Sequence, residues 1–189
     1  MKTPSAELIM IGSELLLGEL QDTNATYLAR NLAEAGIPLL WKTTVGDNLA
    51  RIAAALRHAL SRSDIVLCSG GLGPTEDDLT REALAALMGM PLVYHPTVME
   101  AIESRFARLG RKITGNNRKQ AMAPDGVEII PNPNGTAPGL WARLSDKVVV
   151  CMPGVPFELK PMFQESILPR ICQEFGFSGV IRAWNLRVC

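Results

Sequence analysis

Residues 68–84 read CSGGLGPTEDDLTREAL, where Gly70, Gly71, Gly73 and Pro74 run directly into Glu76, Asp77 and Asp78. A glycine loop that opens a helix presents free backbone N–H groups and the positive end of the helix dipole, which together attract phosphate. Three consecutive carboxylates beside it should repel a bare phosphate. A divalent cation lying between the two removes the conflict, because it takes oxygen ligands from carboxylates and phosphates at once. A roughly octahedral oxygen shell suits Mg²⁺ or Mn²⁺. Two further turns set an acid next to glycine: Gly12-Ser13-Glu14 and Gly46-Asp47-Asn48. A fourth, Pro153-Gly154-Val155-Pro156, has Glu158 behind it.

Plainer roles exist for most of these residues. Thr75-x-x-Asp78 fits a capping box, and Glu76 and Asp77 would favour the start of a helix through its dipole. Asp47 fits an N-cap. Glu14 has no such explanation, since it follows an apolar run and precedes no clear helix. His58 and His95 have no neighbouring Ser, Cys or carboxylate pattern and read as structural. Ser69 lies outside any GxSxG elbow, which argues against a serine hydrolase. Arg111, Lys112, Arg118 and Lys119, interleaved with Asn116 and Asn117, read either as a solvated loop or as a cover closing over a polyphosphate.

Placing these loops together requires a parallel sheet, and the periodicity supplies one. ELIMI (7–11), PLLWKTTVG (38–46), DIVLCSGG (64–71) and KVVVCMPG (147–154) are buried-strand patterns, each ending at or beside a glycine. Between them lie amphipathic helices with Leu28 and Leu32, then Leu49, Ile52, Leu56 and Leu60, on one stripe. A third helix is expected over EDDLTREALAALMG, a fourth over HPTVMEAIESRFARLG, and a closing one over VPFELKPMFQESILPRI with Pro156 in its first turn. RKITGNNRKQ reads as a loop entering a short helix, and VEIIPNPNGTAPGLWARL as a hairpin on the main sheet. The result is an α/β fold, three-layer α/β/α with a mostly parallel sheet. In such sheets ligands bind beyond the carboxyl ends of the strands at a topological switch, so Glu14, Asp47 and Glu76–Asp78 should meet around the glycine loop.

The chain has 189 residues, 19 basic and 19 acidic, so no global field favours nucleic acid or membrane. Cys68, Cys151, Cys172 and Cys189 form no CxxC pair, which argues against a zinc cage or disulfide framework and suits a reducing cytoplasm. No stretch of eighteen apolar residues occurs. VIRAWNLRVC (180–189) alternates like a half-buried strand yet has no turn or partner. We therefore expect residues 1–177 to form the domain and 178–189 to begin a following segment of a longer protein, with this strand paired to another copy or poorly ordered.

The motifs IGSELLLGELQDTNATYLA, TTVGDN, SGGLGPTEDDLT, NNRKQA, PNPNGTAPG and MPGVPFE together resemble the N-terminal domain of the competence/damage-inducible protein A (CinA) family, within the molybdopterin-binding fold. The resemblance covers nearly the whole chain in order. It implies metal-dependent cleavage of ADP-ribose to AMP and a sugar phosphate, in a cytoplasmic homo-oligomer (dimer or trimer) that binds neither nucleic acid nor membrane. Glu14, Asp47 and Asp78, with Asp77, would hold Mg²⁺, Mn²⁺ or Co²⁺. Lys119 would join them in catalysis, while Gly70, Gly71, Gly73, Thr75, Asn117, Arg118, Gly135, Thr136 and Gly154 would bind phosphate and substrate. Two other functions fit the same pattern: pterin-nucleotide binding or adenylyl transfer, and a non-catalytic scaffold for a nicotinamide-mononucleotide amidase domain.

Overall fold

The computed structural model describes residues 3–178. Strand β1 (Ala6–Ile11) is buried along its whole length, as its apolar run demands. It leads through a short α1 (Ser13–Leu16) to α2 (Thr23–Glu34), capped by Asp22 accepting from the Ala25 N–H at 2.9 Å. Then follow β2 (Leu39–Val45), α3 (Leu49–Arg62) with Asn48 as its side-chain cap, and the fully buried β3 (Ile65–Ser69). After the glycine loop come α4 (Thr80–Met88), β4 (Leu92–Tyr94), α5 (Pro96–Arg108), α6 (Asn117–Gln120), β5 (Met122–Pro124) and β6 (Glu128–Ile130). The chain closes with β7 (Gly139–Leu144), β8 (Lys147–Met152), α7 (Pro156–Met162) and α8 (Leu168–Phe175).

The main sheet has the order β2-β1-β3-β8-β7-β6. Its first four strands are parallel, and β7 and β6 extend it antiparallel, so the hairpin read from the sequence joins the main sheet as expected. Apolar side chains fill both faces. Leu8, Met10, Leu67 and Val150 pack under Leu28 and Leu32 of α2 and under Leu159, Phe163, Ile167 and Ile171 of the closing helices. Ile9, Val66, Cys68 and Val149 pack on the other face against Ile52 and Leu56 of α3 and Ala83 and Leu84 of α4. This is the three-layer architecture expected.

One acid lies within this core. Glu7 of β1 is fully buried and receives Arg62 Nε at 2.9 Å, the second guanidinium nitrogen at 2.7 Å and the Ser63 hydroxyl at 3.2 Å. Arg62 also lies over the Trp41 ring at 4.0 Å, which shields the pair at the β2 edge.

The structure departs from the sequence reading in three places. Helix α4 begins at Thr80 and not at Glu76, so the three acids lie in a loop before it. A small β4–β5 ribbon was not anticipated, because strands of three residues leave too short a pattern to read. The closing helix widens into one π turn over Phe163–Ile167, between Pro161 and Pro169, and still keeps its apolar stripe inward. The strand expected over 180–189, and its pairing with another copy, lie outside the described residues.

Candidate functional site

The chain passes from β1 to β2 on one side and then crosses back from β2 to β3 on the other side of β1, so the sheet order switches between β1 and β3. Above that switch opens a cleft of about 550 Å³. The loops after β1, β2, β3 and β8 wall it with Glu14, Asp47, Asp77, Asp78 and Glu158, and with Gly70, Gly71, Gly73, Thr75 and Gly154. Gln120 and Thr136 come from the far side. Glu14, Asp47, Asp77 and Asp78 therefore meet the glycine loop in one place, as expected, whereas Glu76, expected with them, is not part of the lining.

The glycine loop has its shape because only glycine fits. Gly70 has φ +107°, and a Cβ there would lie 2.0 Å from the Ile11 carbonyl oxygen. Gly73 is overlain by the Asp78 carboxylate, 2.4 Å from where a Cβ would stand. Asp78 accepts the Gly73 N–H at 2.7 Å, the Thr75 N–H at 2.9 Å and the Thr75 hydroxyl at 2.5 Å. The capping box expected at Thr75-x-x-Asp78 is thus corrected: the N-cap of α4 is Leu79, with no side-chain bond, and Asp78 folds the loop instead. Asp77 also draws on the Thr75 hydroxyl, which holds its carboxyl below the usual range, helped by backbone bonding and the charge of Lys119.

Behind the loop stands Arg81, only 1% exposed, which the sequence reading did not single out. Its terminal nitrogens donate to Leu72 O at 2.8 and 3.0 Å and to Gly73 O at 2.5 Å, and Nε donates to Lys119 O at 3.1 Å. Burial pulls its pKa down, against the opposing pull of Glu82 and Asp78. Lys119 is not the solvent-facing group expected. Its ammonium donates to Thr75 O at 2.9 Å and Asp78 O at 2.6 Å, and pairs with Glu82 at 3.4 Å. Arg118 turns away to lie over Tyr94 at 4.6 Å. Asn117 is buried, accepting from Thr114 and donating to Gln120 at 3.1 Å. None of these three lines the cleft: Lys119 braces the loop, Arg118 lies on Tyr94 and Asn117 holds Gln120, the one residue of α6 that reaches the lining.

Other contacts lock the walls together. Asp47 accepts the Ser13 N–H at 2.8 Å while its own N–H donates to the Ser13 hydroxyl at 3.1 Å, so the loops after β1 and β2 hold each other. Buried Asn24 donates to Gly154 O at 2.7 Å and Ser69 Oγ at 3.2 Å, tying α2 to the ends of β3 and β8. Gln120 donates to the Thr136 hydroxyl at 2.9 Å. Gly135 stands outside the cleft lining, where a Cβ would strike Glu158 at 1.8 Å, and Glu158 in turn accepts from Asn132 at 2.7 Å. Gln120, Asn24 and Arg81 were missed because their types alone carry no catalytic pattern.

The carboxylates line a common cleft, but among the described residues no three His, Cys, Asp or Glu side chains are grouped to hold a metal ion. No described helix is long and apolar enough to cross a membrane.

Residues 7–173 match the family described as "Probable molybdopterin binding domain". A CinA-like protein of Cyanothece sp. is 47% identical over 188 residues, covering 96% of this chain and 45% of its own length. The crystal structure of the protein CinA from Thermoplasma acidophilum is 34% identical with a TM-score of 0.79, covering 92% of this chain and 98% of that one. The molybdopterin biosynthesis enzyme MoaB from Thermus thermophilus shares the fold at 20% identity and a TM-score of 0.60, over 91% of this chain and 96% of its own. The chain spans less than half the length of the curated relatives it matches.

Proposed function

The chain belongs to the molybdopterin-binding domain family, in its CinA-like group, and we propose that it is a metal-dependent nucleotide pyrophosphatase that splits ADP-ribose or a close analogue into AMP and a sugar phosphate. The observation that carries this reading is the convergence of Glu14, Asp47, Asp77 and Asp78 with the glycine loop on one cleft at the switch point.

The donor set fits a cation that arrives with its substrate. Mg²⁺ is commonly held by one or two carboxylates plus substrate phosphates and retains several waters, so a ready-made cage of three acids is not required. One or two carboxylates from among Glu14, Asp47 and Asp77 would hold it. Asp78 would contribute through Oδ1, which has a lone pair to spare beyond its bond from Gly73, whereas Oδ2 already accepts two. When bound, the cation supplies Lewis acidity and neutralises phosphate charge. The protein does the rest. The Thr136 hydroxyl accepts from Gln120 and so keeps its own hydrogen free to donate. Asn24 fixes the Gly154 wall and the Asp47–Ser13 pair fixes the opposite one. Water adds to one phosphorus of the pyrophosphate, the bridging P–O bond breaks, and the two protons of the water are shared between the products and solvent.

The test is incubation of the purified chain with ADP-ribose, with and without Mg²⁺, Mn²⁺ or Co²⁺, scoring AMP. Metal-dependent AMP release is expected, and its absence with all three metals sinks the proposal. The family description favours a second reading, pterin-nucleotide binding in the same cleft, for which tight pterin binding without turnover would be the outcome.

A further inference from the structure

We propose that Arg81 is a positioning residue, one that turns the Leu72–Gly73 peptide so that its N–H meets Asp78 and holds that carboxylate at the cleft; the ligand side of this inference rests on the reading of the cleft as a metal–pyrophosphate site. A trans peptide carries its C=O and N–H on opposite sides. Arg81 takes Leu72 O from behind with both terminal nitrogens, so the N–H of Gly73 must point forward, where Asp78 Oδ1 meets it at 2.7 Å. Gly73 O is held by the same guanidinium. Lys119 holds two more carbonyls of the same loop, Thr75 O and Asp78 O. The Nε bond to Lys119 O joins the two cations' segments, so α4 and α6 grip the loop as one unit.

A role in stability alone explains Arg81 less well. Its hydrogen bonds all go to backbone carbonyls, two of them in the glycine loop, and none to a carboxylate. Burying a guanidinium is costly, and an apolar side chain of similar volume often stabilises a core as well or better. The planar fork matters because it reaches two successive carbonyls at fixed spacing, which a lysine ammonium cannot do.

The test is Arg81→Lys in the whole chain, read in two ways. Without ligand, amide hydrogen exchange of Gly73 and Thr75 reports loop orientation. With inorganic pyrophosphate and Mg²⁺, calorimetry reports the anion site. Because Lys keeps the charge but not the fork, we expect Gly73 exchange to accelerate and pyrophosphate to bind weaker, each by at least about tenfold, the scale of one charge-assisted hydrogen bond. The melting temperature should change far less than this loss implies. Unchanged exchange and unchanged affinity in a folded variant overturn the inference. If Arg81→Lys does not fold, Arg81→Met, apolar and of similar volume, carries the same two readouts with the same two outcomes. If pyrophosphate fails to bind the unaltered protein, the phosphate reading falls, while the exchange data still decide whether Arg81 orients the loop.

Discussion

Asp78 shows how far a residue's type differs from its use. Its acidity made it a candidate ligand, and its place three after Thr75 made it a candidate cap, but the direction of its side chain was not legible. The carboxylate folds back because it is the group that takes the Gly73 and Thr75 N–H groups, which have no backbone carbonyl to pair with. Asp78→Ala should therefore lower stability by about 1–2 kcal/mol, the value of such bonds at a partly exposed site, and abolish AMP release. Asp78→Asn separates the roles. Its amide oxygen can still accept from one N–H, so thermal melting should recover most of the loss while turnover does not. Recovery of turnover to near the unaltered rate would confine Asp78 to folding the loop. Arg81 was illegible for a different reason: a charged residue within a short helix reads as surface, and only the glycine loop folding across it makes it buried.

Among elements, the long periodic ones were legible and the short ones were not. Strands β1, β3 and β8 announced themselves as apolar runs and α2 and α3 as apolar stripes, but the N-cap read at Asp47 belongs to Asn48, since Asp47 is turned to Ser13. The start of α4 was misread because Glu76–Asp78 satisfy helix-start chemistry, yet Thr80 wins that position by closing onto the loop, its N–H on Gly71 O at 3.1 Å and its hydroxyl on Gly70 O at 2.8 Å. The hairpin was legible, but its tie to the closing helix was not. Arg170 of α8 lies over Trp141 of β7 at 4.0 Å and pairs with Glu128 of β6 at 2.7 Å. Arg170 holds the Glu128 carboxyl below its usual 4.5. Since the folded state favours the ionised acid, the contribution is present above pH 4.5 and lost as pH falls through the lowered value. With Glu128 largely exposed, Glu128→Gln should cost below about 1 kcal/mol at neutral pH. That difference should vanish below the titration in urea melts run across pH; a cost that persists in acid would mean packing on Trp141, not charge, holds the hairpin.

At the scale of the whole molecule, the sheet separates stability from function along its strands. The amino ends of β1 and β3 lie in a closed core, where Ala6 and Ile65 pair and are fully buried, while the carboxyl ends open into the cleft. Ile65→Val should cost about 0.5–1.5 kcal/mol and leave the KM for ADP-ribose unchanged, because it trims one methylene far from the loops. Gly154 sits at the other end. Its Cα approaches the glycine loop so closely that an added Cβ would lie 3.3 Å from the Gly70 Cα, with backbone as the only neighbour on that side. Gly70 cannot retreat, since the Ile11 carbonyl already occupies the space where its own Cβ would stand. The wall carrying Gly154 must move instead, and Asn24, bonded to Gly154 O, would be drawn with it. Gly154→Ala should thus widen the cleft slightly, raising KM several-fold while thermal melting falls little, the inverse of Ile65→Val. Steady-state kinetics and melting on the two variants side by side check this. If Gly154→Ala lowers the melting temperature as much as Ile65→Val and leaves KM untouched, the cleft is not the place where substrate binds.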